Sequence, residues 1–372
     1  MRVVFVAYNY QPLFLDPEQW VKFMYLQVNI MEELAKSHEV FYLRQVNYEG
    51  TYEKNNVKYI YPKRIDRKAY FPSTLHKTIK QLQPDLVIVL GFRYPLQIIQ
   101  LRKSLGKNVV ILARDHADKV PTGFRRTIQK MADKRVDAYL FTAKENADRW
   151  IEAKVIGGEK KVKEVPATST AFQRRDKQTC RDKLGWEQGK HCLWVGRLSS
   201  EKDPLTILQG FAMVIQEHPD ITLHLVYQEN KLQDEIKTFL ENNVQLKDSV
   251  KFHGTVANED LVNWYSAADI FVAGSHRESV GYSLMEAMAC GCIPVVTNIP
   301  TAFVLTDQGR FGFLFNRRNA DEFAEKLKIC LQEDMEKISK NVEEHFKKNL
   351  SPKAIASKLI QVYHEVTEKT RG

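Results

Sequence analysis

The sequence predicts an α/β chain of two doubly wound, parallel-sheet domains. Short runs rich in Val, Ile and Leu alternate along the whole chain with stretches of helical period. The apolar runs are near-continuous, as in strands covered on both faces. At 372 residues there is room for two or three domains. A charged, apolar-poor stretch at 171–190 reads as a linker between 1–170 and 191–351.

In the first half, Val3–Tyr8 is a β-rich run. Pro17–Ala35 reads as a helix, with Trp20, Phe23, Met24, Val28, Met31 and Leu34 at helical spacing. Glu39–Val46 and Lys58–Tyr61 read as strands, and Ser73–Leu82 as a helix closed by Pro84. Leu86–Leu90, Val109–Ala113 and Ala138–Thr142 follow as buried strands with helical stretches between them. The second half repeats the alternation. Cys192–Val195 is a strand, and Asp203 caps a helix with Pro204 at its first position. Ile221–Val226, Val250–Phe252, Ile270–Val272 and Pro294–Val296 are the later strands. Residues 352–369 form a helix with apolar Ile355, Leu359, Val362 and Val366. Ligands of such sheets bind beyond the carboxyl ends of the strands, and two domains of this kind are expected to face each other across a cleft.

Hydrophobic residues at 44% and charged residues at 27% exclude a disordered or fibrous chain. No apolar run approaches the ~18 residues of a membrane span, and the first residues do not read as a secretory signal. Five cysteines without framework spacing point to reduced thiols and a cytoplasmic location; the Cys290-Gly291-Cys292 pair reads as structural. Charge is unevenly placed. Residues 1–170 hold 29 basic and 18 acidic residues, the remainder 26 and 28. An excess of this kind favours an anionic partner for the first half. Its densest stretch is Lys63, Arg64, Arg67 and Lys68, followed by Tyr70 and Phe71. No basic motif interleaved with aromatics is present, so nucleic acid is not the expected partner; an anionic membrane surface or an acidic substrate is, with a solvated loop as the plain alternative for the basic stretch.

The chemistry concentrates in residues 273–296, AGSHRESVGYSLMEAMACGCIPVV. A strand ends, a loop carries Glu278 and Gly281, and a helix begins at Tyr282 and carries Glu286. Free backbone N–H groups at Gly281, Tyr282 and Ser283 make an anion site, with glycine allowing close approach. Carboxylates beside a phosphate would repel it, so Glu278 and Glu286 need another task; accepting hydrogen bonds from sugar hydroxyls is one. A second segment, Val195–Lys202, reads VGRLSSEK. Gly196 is expected to make a tight strand-to-loop turn, and Arg197 and Lys202 to neutralise a diphosphate. Together these residues read as a site for a nucleotide-sugar.

The two segments resemble retaining glycosyltransferases of family 4, within glycosyl transferases group 1. The resemblance covers nearly the whole chain and is strongest over residues 191–315. It implies the GT-B fold of two Rossmann-like domains, with the 352–369 helix crossing back onto the first, acceptor-binding domain. It also implies that Glu278 binds donor-sugar hydroxyls, Glu286 the ribose, Arg197 and Lys202 the diphosphate, and Gly254, Thr255 and Val256 the neighbourhood of the base. His116 is the candidate beside the reacting end of the sugar. The implied reaction moves a sugar from a UDP- or GDP-sugar to a glycan or lipid-linked acceptor hydroxyl, with no cofactor. No Asp-x-Asp occurs, so no metal is expected. The chain departs from the family in two places. Tyr8–Glu18 contains no glycine, and Tyr227-Gln228-Glu229-Asn230 stands where Gly-x-Gly is common. A nucleotide-sugar 2-epimerase of the same fold and a weakly active sugar-nucleotide-binding relic are the alternative readings. A basic nucleic-acid-binding protein accounts for the charge but not for the clustered site.

Overall fold

The computed structural model describes residues 1–63, 71–115 and 119–371. The chain divides into two compact units, Met1–Ser169 with Pro352–Gly372, and Thr170–Ser351. Arg64, Arg67, Lys68, Tyr70 and the candidate His116 lie outside the described residues.

The first unit is built on an eight-stranded sheet: β1 (Arg2–Gln11), β2 (Glu39–Val46), β3 (Gly50–Lys54), β4 (Val57–Tyr61), β5 (Leu86–Leu90), β6 (Val110–Arg114), β7 (Ala138–Phe141) and β8 (Val162–Glu164). The order is β3-β4-β2-β1-β5-β6-β7-β8, parallel except for β3 against β4. Successive residues of β1 feed opposite faces. Val3 and Phe5 enter one core, Val4 and Val6 the other. That two-sided burial is why the strands read as unbroken apolar runs. The helix Pro352–Arg371 closes one of these cores with Ile355, Leu359 and Val362.

The helix expected over Pro17–Ala35 is two pieces, Pro17–Phe23 and Tyr25–Ala35. The break falls at Met24 (φ −91°, ψ 15°), whose buried sulfur accepts the Tyr42 hydroxyl. β1 runs three residues past Tyr8, the expected end of its strand, and its register with β2 is broken between Ala7 and Gln11. Without a glycine to turn the chain there, the strand continues.

The second unit has a six-stranded parallel sheet: β9 (Lys190–Leu198), β10 (Ile221–Asn230), β11 (Val250–Gly254), β12 (Ile270–Ala273), β13 (Ile293–Thr297) and β14 (Phe313–Phe315). The order is β11-β10-β9-β12-β13-β14. The chain therefore winds one way from β9 and returns to β9's other side with β12, where Ile270 pairs with Cys192. The strand order reverses between β9 and β12, and the carboxyl ends of those two strands flank the ligand crevice of a doubly wound sheet. At β10, as at β1, the missing glycines coincide with a strand longer than expected and with a register break, here between Tyr227 and Asn230.

Residues 171–190, expected as a linker, hold the helix Lys177–Leu184, which belongs to the second unit. Its sequence looks solvent-facing because its cations do internal work. Lys177 and Arg181 grip the two oxygens of Asp269 at 2.6 and 2.7 Å. Burial raises the Asp269 pKa, and these cations overcome that and hold it below the usual carboxylate range. All five cysteines are buried free thiols, and burial pushes Cys290 up to about 12.

One face of this sheet carries three histidines in a row. His191 Nδ1 lies 3.0 Å from His224 Nε2, and His224 Nδ1 lies 3.0 Å from His253 Nε2. Trp186 stacks on His224 with ring centroids 3.7 Å apart. Burial pushes the His224 pKa down to about 2 and lowers those of His191 and His253. The folded unit therefore keeps these rings neutral, while the unfolded chain protonates them below about pH 6.5. Their contribution to stability is full above that pH and is lost as pH falls. A melt at pH 5.5 should show a clearly lower Tm for this unit than one at pH 7.5, with about 1.4 kcal/mol lost at His224 and further loss at the other two rings. An unchanged Tm would contradict the burial of the three rings.

Candidate functional site

The site is assembled from the loops that leave β9 and β12. Gly274 makes their approach possible: a Cβ there would stand 2.4 Å from the Asp203 carbonyl oxygen. The loops are then stitched together. The His276 N–H donates to the Glu201 carbonyl at 2.9 Å, and His276 Nε2 is 2.8 Å from Asp203 Oδ2. Asp203 also accepts from Thr206 N–H at 3.2 Å, capping the helix Pro204–Val214. Changing Gly274 to Ala should force these backbones apart and cost about 1–3 kcal/mol. Denaturant unfolding checks this, and a variant as stable as the parent would show that the close approach is dispensable.

This stitching places Lys202 against Glu278, and Lys202 Nζ donates to Glu278 Oε1. Ser275 Oγ donates to the same oxygen at 3.1 Å. The Thr301 hydroxyl holds the Glu278 carbonyl at 2.6 Å, and the Thr297 hydroxyl holds the Ser275 carbonyl at 2.6 Å. Glu278 is thus fixed at both backbone and carboxylate, the latter through Oε1. Gly281 (φ 76°) starts the helix Tyr282–Ala289, whose N-terminus has no side-chain cap. The left-handed backbone angle demands glycine, and a Cβ at Gly281 would also have to displace the Leu305 Cδ1 methyl, 2.7 Å away. Lys202, Ser275, Glu278, Gly281, Ser283 and Thr301 line one pocket.

The other expected residues are placed differently. Glu286 is only 3% exposed, and its Oε2 accepts the Tyr265 hydroxyl at 3.1 Å. Tyr282 is the partly exposed first residue of its helix. Arg197 lies near the end of β9, exposed, 4.0 Å from the Glu201 carboxylate and outside the pocket lining. Gly196 does not make the expected turn. The strand continues to Leu198, and glycine is favoured there because a Cβ would stand 3.0 Å from the Trp194 ring. Gly254 (φ 64°), Thr255 and Val256 lie at the end of β11, the edge strand, with β10 between them and β9. The structure therefore brings together Lys202, Glu278, Gly281 and Ser283, and sets 254–256 apart along the same carboxyl edge.

Residues 176–350 match the family model described as glycosyl transferases group 1. Over those residues, all within the second unit, the chain is similar to the glycosyl transferases group 1 family. The match spans every site residue named above except His116. Over nearly its full length the chain is similar to spore coat protein SA of Bacillus subtilis (strain 168), with 25% identity over 354 residues, 89% of this chain and 91% of that protein. Among solved structures it is similar to a glycosyltransferase from Rickettsia africae ESF-5, with a TM-score of 0.72, 16% identity and 98% of each chain covered. It is also similar to Anabaena Alr3699/HepE in complex with UDP, with a TM-score of 0.70, 17% identity, and 98% and 100% covered. The fold is GT-B, with two Rossmann-like α/β units.

Sequence reasoning missed several members of this site. Ser275 sits inside the segment singled out but was passed over beside the acidic residues. Thr297 and Thr301 carry no local signal; they reach Glu278 and Ser275 only because β13 lies beside β12. Asp203 was read as a helix cap alone, although it also bonds His276.

Proposed function

We propose that this chain transfers a glycosyl group from a nucleotide-diphosphate sugar, UDP- or GDP-linked, to an acceptor hydroxyl, with retention at the anomeric carbon. One observation carries the reading. A cation and a carboxylate, Lys202 and Glu278, share a pocket with an uncapped helix N-terminus at the strand-order reversal. The Gly281–Ser283 amides and Lys202 suit a diphosphate, with Arg197 further out along β9. The Glu278 carboxylate suits a hydroxyl of the donor sugar, and Glu286 the ribose. The complex of Anabaena Alr3699/HepE with UDP supports a nucleotide donor.

In the reaction the acceptor oxygen bonds to the anomeric carbon on the face from which the diphosphate leaves. The carbon–oxygen bond to diphosphate breaks, and a diphosphate oxygen takes the acceptor proton. The protein positions the partners and neutralises the departing charge through Lys202, Arg197 and the helix N-terminus, so no metal is required. His116 is proposed to sit beside the reacting end of the sugar. The test is a screen of UDP- and GDP-sugars for hydrolysis without acceptor, combined with thermal shift by UDP and GDP. A stabilising nucleotide with slow release of free sugar supports the reading. Release of a 2-epimer with no need of acceptor replaces it with the isomerase, and no shift with either nucleotide removes the donor site.

The acceptor is proposed to be a glycan or lipid-linked molecule, met by a cytoplasmic enzyme resting on an anionic membrane through the first unit. With its last helix that unit carries 33 basic and 20 acidic residues, against 22 and 26 in the second. No helix among the described residues is long and apolar enough to cross a membrane. Phe71 and Phe124 are exposed, the latter at 79% beside Arg125 and Arg126. At about 1 kcal/mol per engaged cation, four suffice for weak reversible binding. In vesicle co-sedimentation, binding should need anionic lipid, fall with salt, and drop when Lys63, Arg64, Arg67 and Lys68 become Ser. Equal binding to neutral vesicles, or an unaffected variant, points to a soluble acceptor.

A further inference from the structure

The three-histidine row has a direction that hydrogen-bond chemistry fixes. His191 Nε2 is 3.0 Å from the Glu187 carbonyl, which can only accept, so that nitrogen carries the proton. A neutral His191 then accepts at Nδ1, and His224 must donate to it from Nε2. By the same step His224 accepts at Nδ1 from His253 Nε2–H. All three rings are Nε2–H tautomers, and the chain runs from the edge strand β11 through β10 to β9 and ends on a backbone carbonyl.

Its far end coincides with an irregularity. Leu225 pairs with Phe252 and Val226 with Gly254, so His253 is the extra residue of a bulge. Bulges re-aim the chain that follows them. Here they re-aim Gly254 (φ 64°), Thr255 and Val256. β11 has one neighbouring strand, so an edge bulge is held by few backbone bonds. The imidazole chain, flanked by Trp186 and by Trp264 at 4.5 Å from His253, adds the missing constraint across three strands. The charged groups around it are Lys251 on β11, Lys177 and Arg181 on the helix Lys177–Leu184, and Asp269 ahead of β12.

We propose that His253 is a positioning residue: the His224–His191 chain locks its bulge and thereby sets Gly254–Val256 for the nucleotide base. The proposal rests on the donor-site reading above and on the family resemblance, which implies that the base lies near Gly254–Val256.

Three measurements on the full chain test it. Nitrogen-15 spectra of the histidine-labelled protein at pH 7.5 should show His191, His224 and His253 with protonated Nε2 and bare Nδ1; a His224 protonated at Nδ1 overturns the chain. His224→Leu cuts the chain, whereas the amide of His224→Gln can accept from His253 and donate to His191. UDP and GDP titrations should show the better nucleotide binding about tenfold more weakly to the Leu variant, with Gln restoring most of the loss. Turnover with the donor found active should show the loss in KM, with kcat within about twofold. Equal affinity in the parent and both variants overturns the positioning role alone. A parent that binds neither nucleotide overturns the donor-site reading and this proposal with it. Should the Leu variant not fold, the parent–Gln comparison and the spectra still decide.

Discussion

Replacing Lys202 by Ala should lower kcat by about 10²–10³ while the protein stays folded. Lys202 is the one lysine lining the pocket, and a preorganised charge facing a developing anion is worth that much. Its bond to Glu278 adds a further consequence. The Ala variant also frees the carboxylate to face a phosphate without its counter-charge, so Glu278→Gln placed on top of Lys202→Ala should restore part of the lost donor affinity. The two effects are coupled through one contact and should not add. Steady-state kinetics on both single variants and the double variant check this. Turnover near the parent level in Lys202→Ala removes the lysine from the reaction.

Glu278→Gln and Glu286→Gln should fail in different ways. Glu278 is held by Ser275 and Thr301 and lines the pocket. Its loss should leave free UDP or GDP binding within about twofold, while kcat/KM for the intact donor falls about 10²-fold. Glu286 is buried against Tyr265. Its loss should weaken free nucleotide about tenfold and lower Tm, because a buried hydroxyl then loses its charged partner. Tyr265→Phe separates the two parts: it should lower Tm with a smaller effect on nucleotide affinity. Equal loss of free nucleotide in both Glu variants would overturn the division between sugar and ribose.

Much of the fold was legible because burial on two faces writes itself as uninterrupted apolar runs; Leu86–Leu90 coincides with β5 to the residue. What escaped was of another kind. β3 is a polar edge hairpin that turns on Asn55 and Asn56 at φ 48° and 63°, and its alternation is too short to stand out. The helix 177–184 hid because its lysine and arginine pair internally with Asp269. In the site, the spacing from Glu278 to Glu286 revealed two carboxylates on one loop and helix, yet it could not separate the pocket-lining Glu278 from the buried Glu286. The threonines that hold the loop come from the neighbouring strand β13 and the helix after it, which only sheet order brings near. Gly196 was misread because a glycine packed against an indole leaves the same mark in a sequence as one that turns the chain.

The return of Pro352–Arg371 to the first unit inverts the order in which the protein is completed. A ribosome that has released Ser351 has supplied every residue of the second unit, while the first, begun earlier, still lacks the helix bearing Ile355, Leu359 and Val362. The usual sequence of folding during synthesis, amino-terminal domain first, is therefore closed to this chain, because its first unit needs residues encoded after the second. Until residues 352–371 emerge, the nascent first unit exposes the apolar stripe that this helix covers. A stop codon just before Pro352 would then damage the unit encoded first.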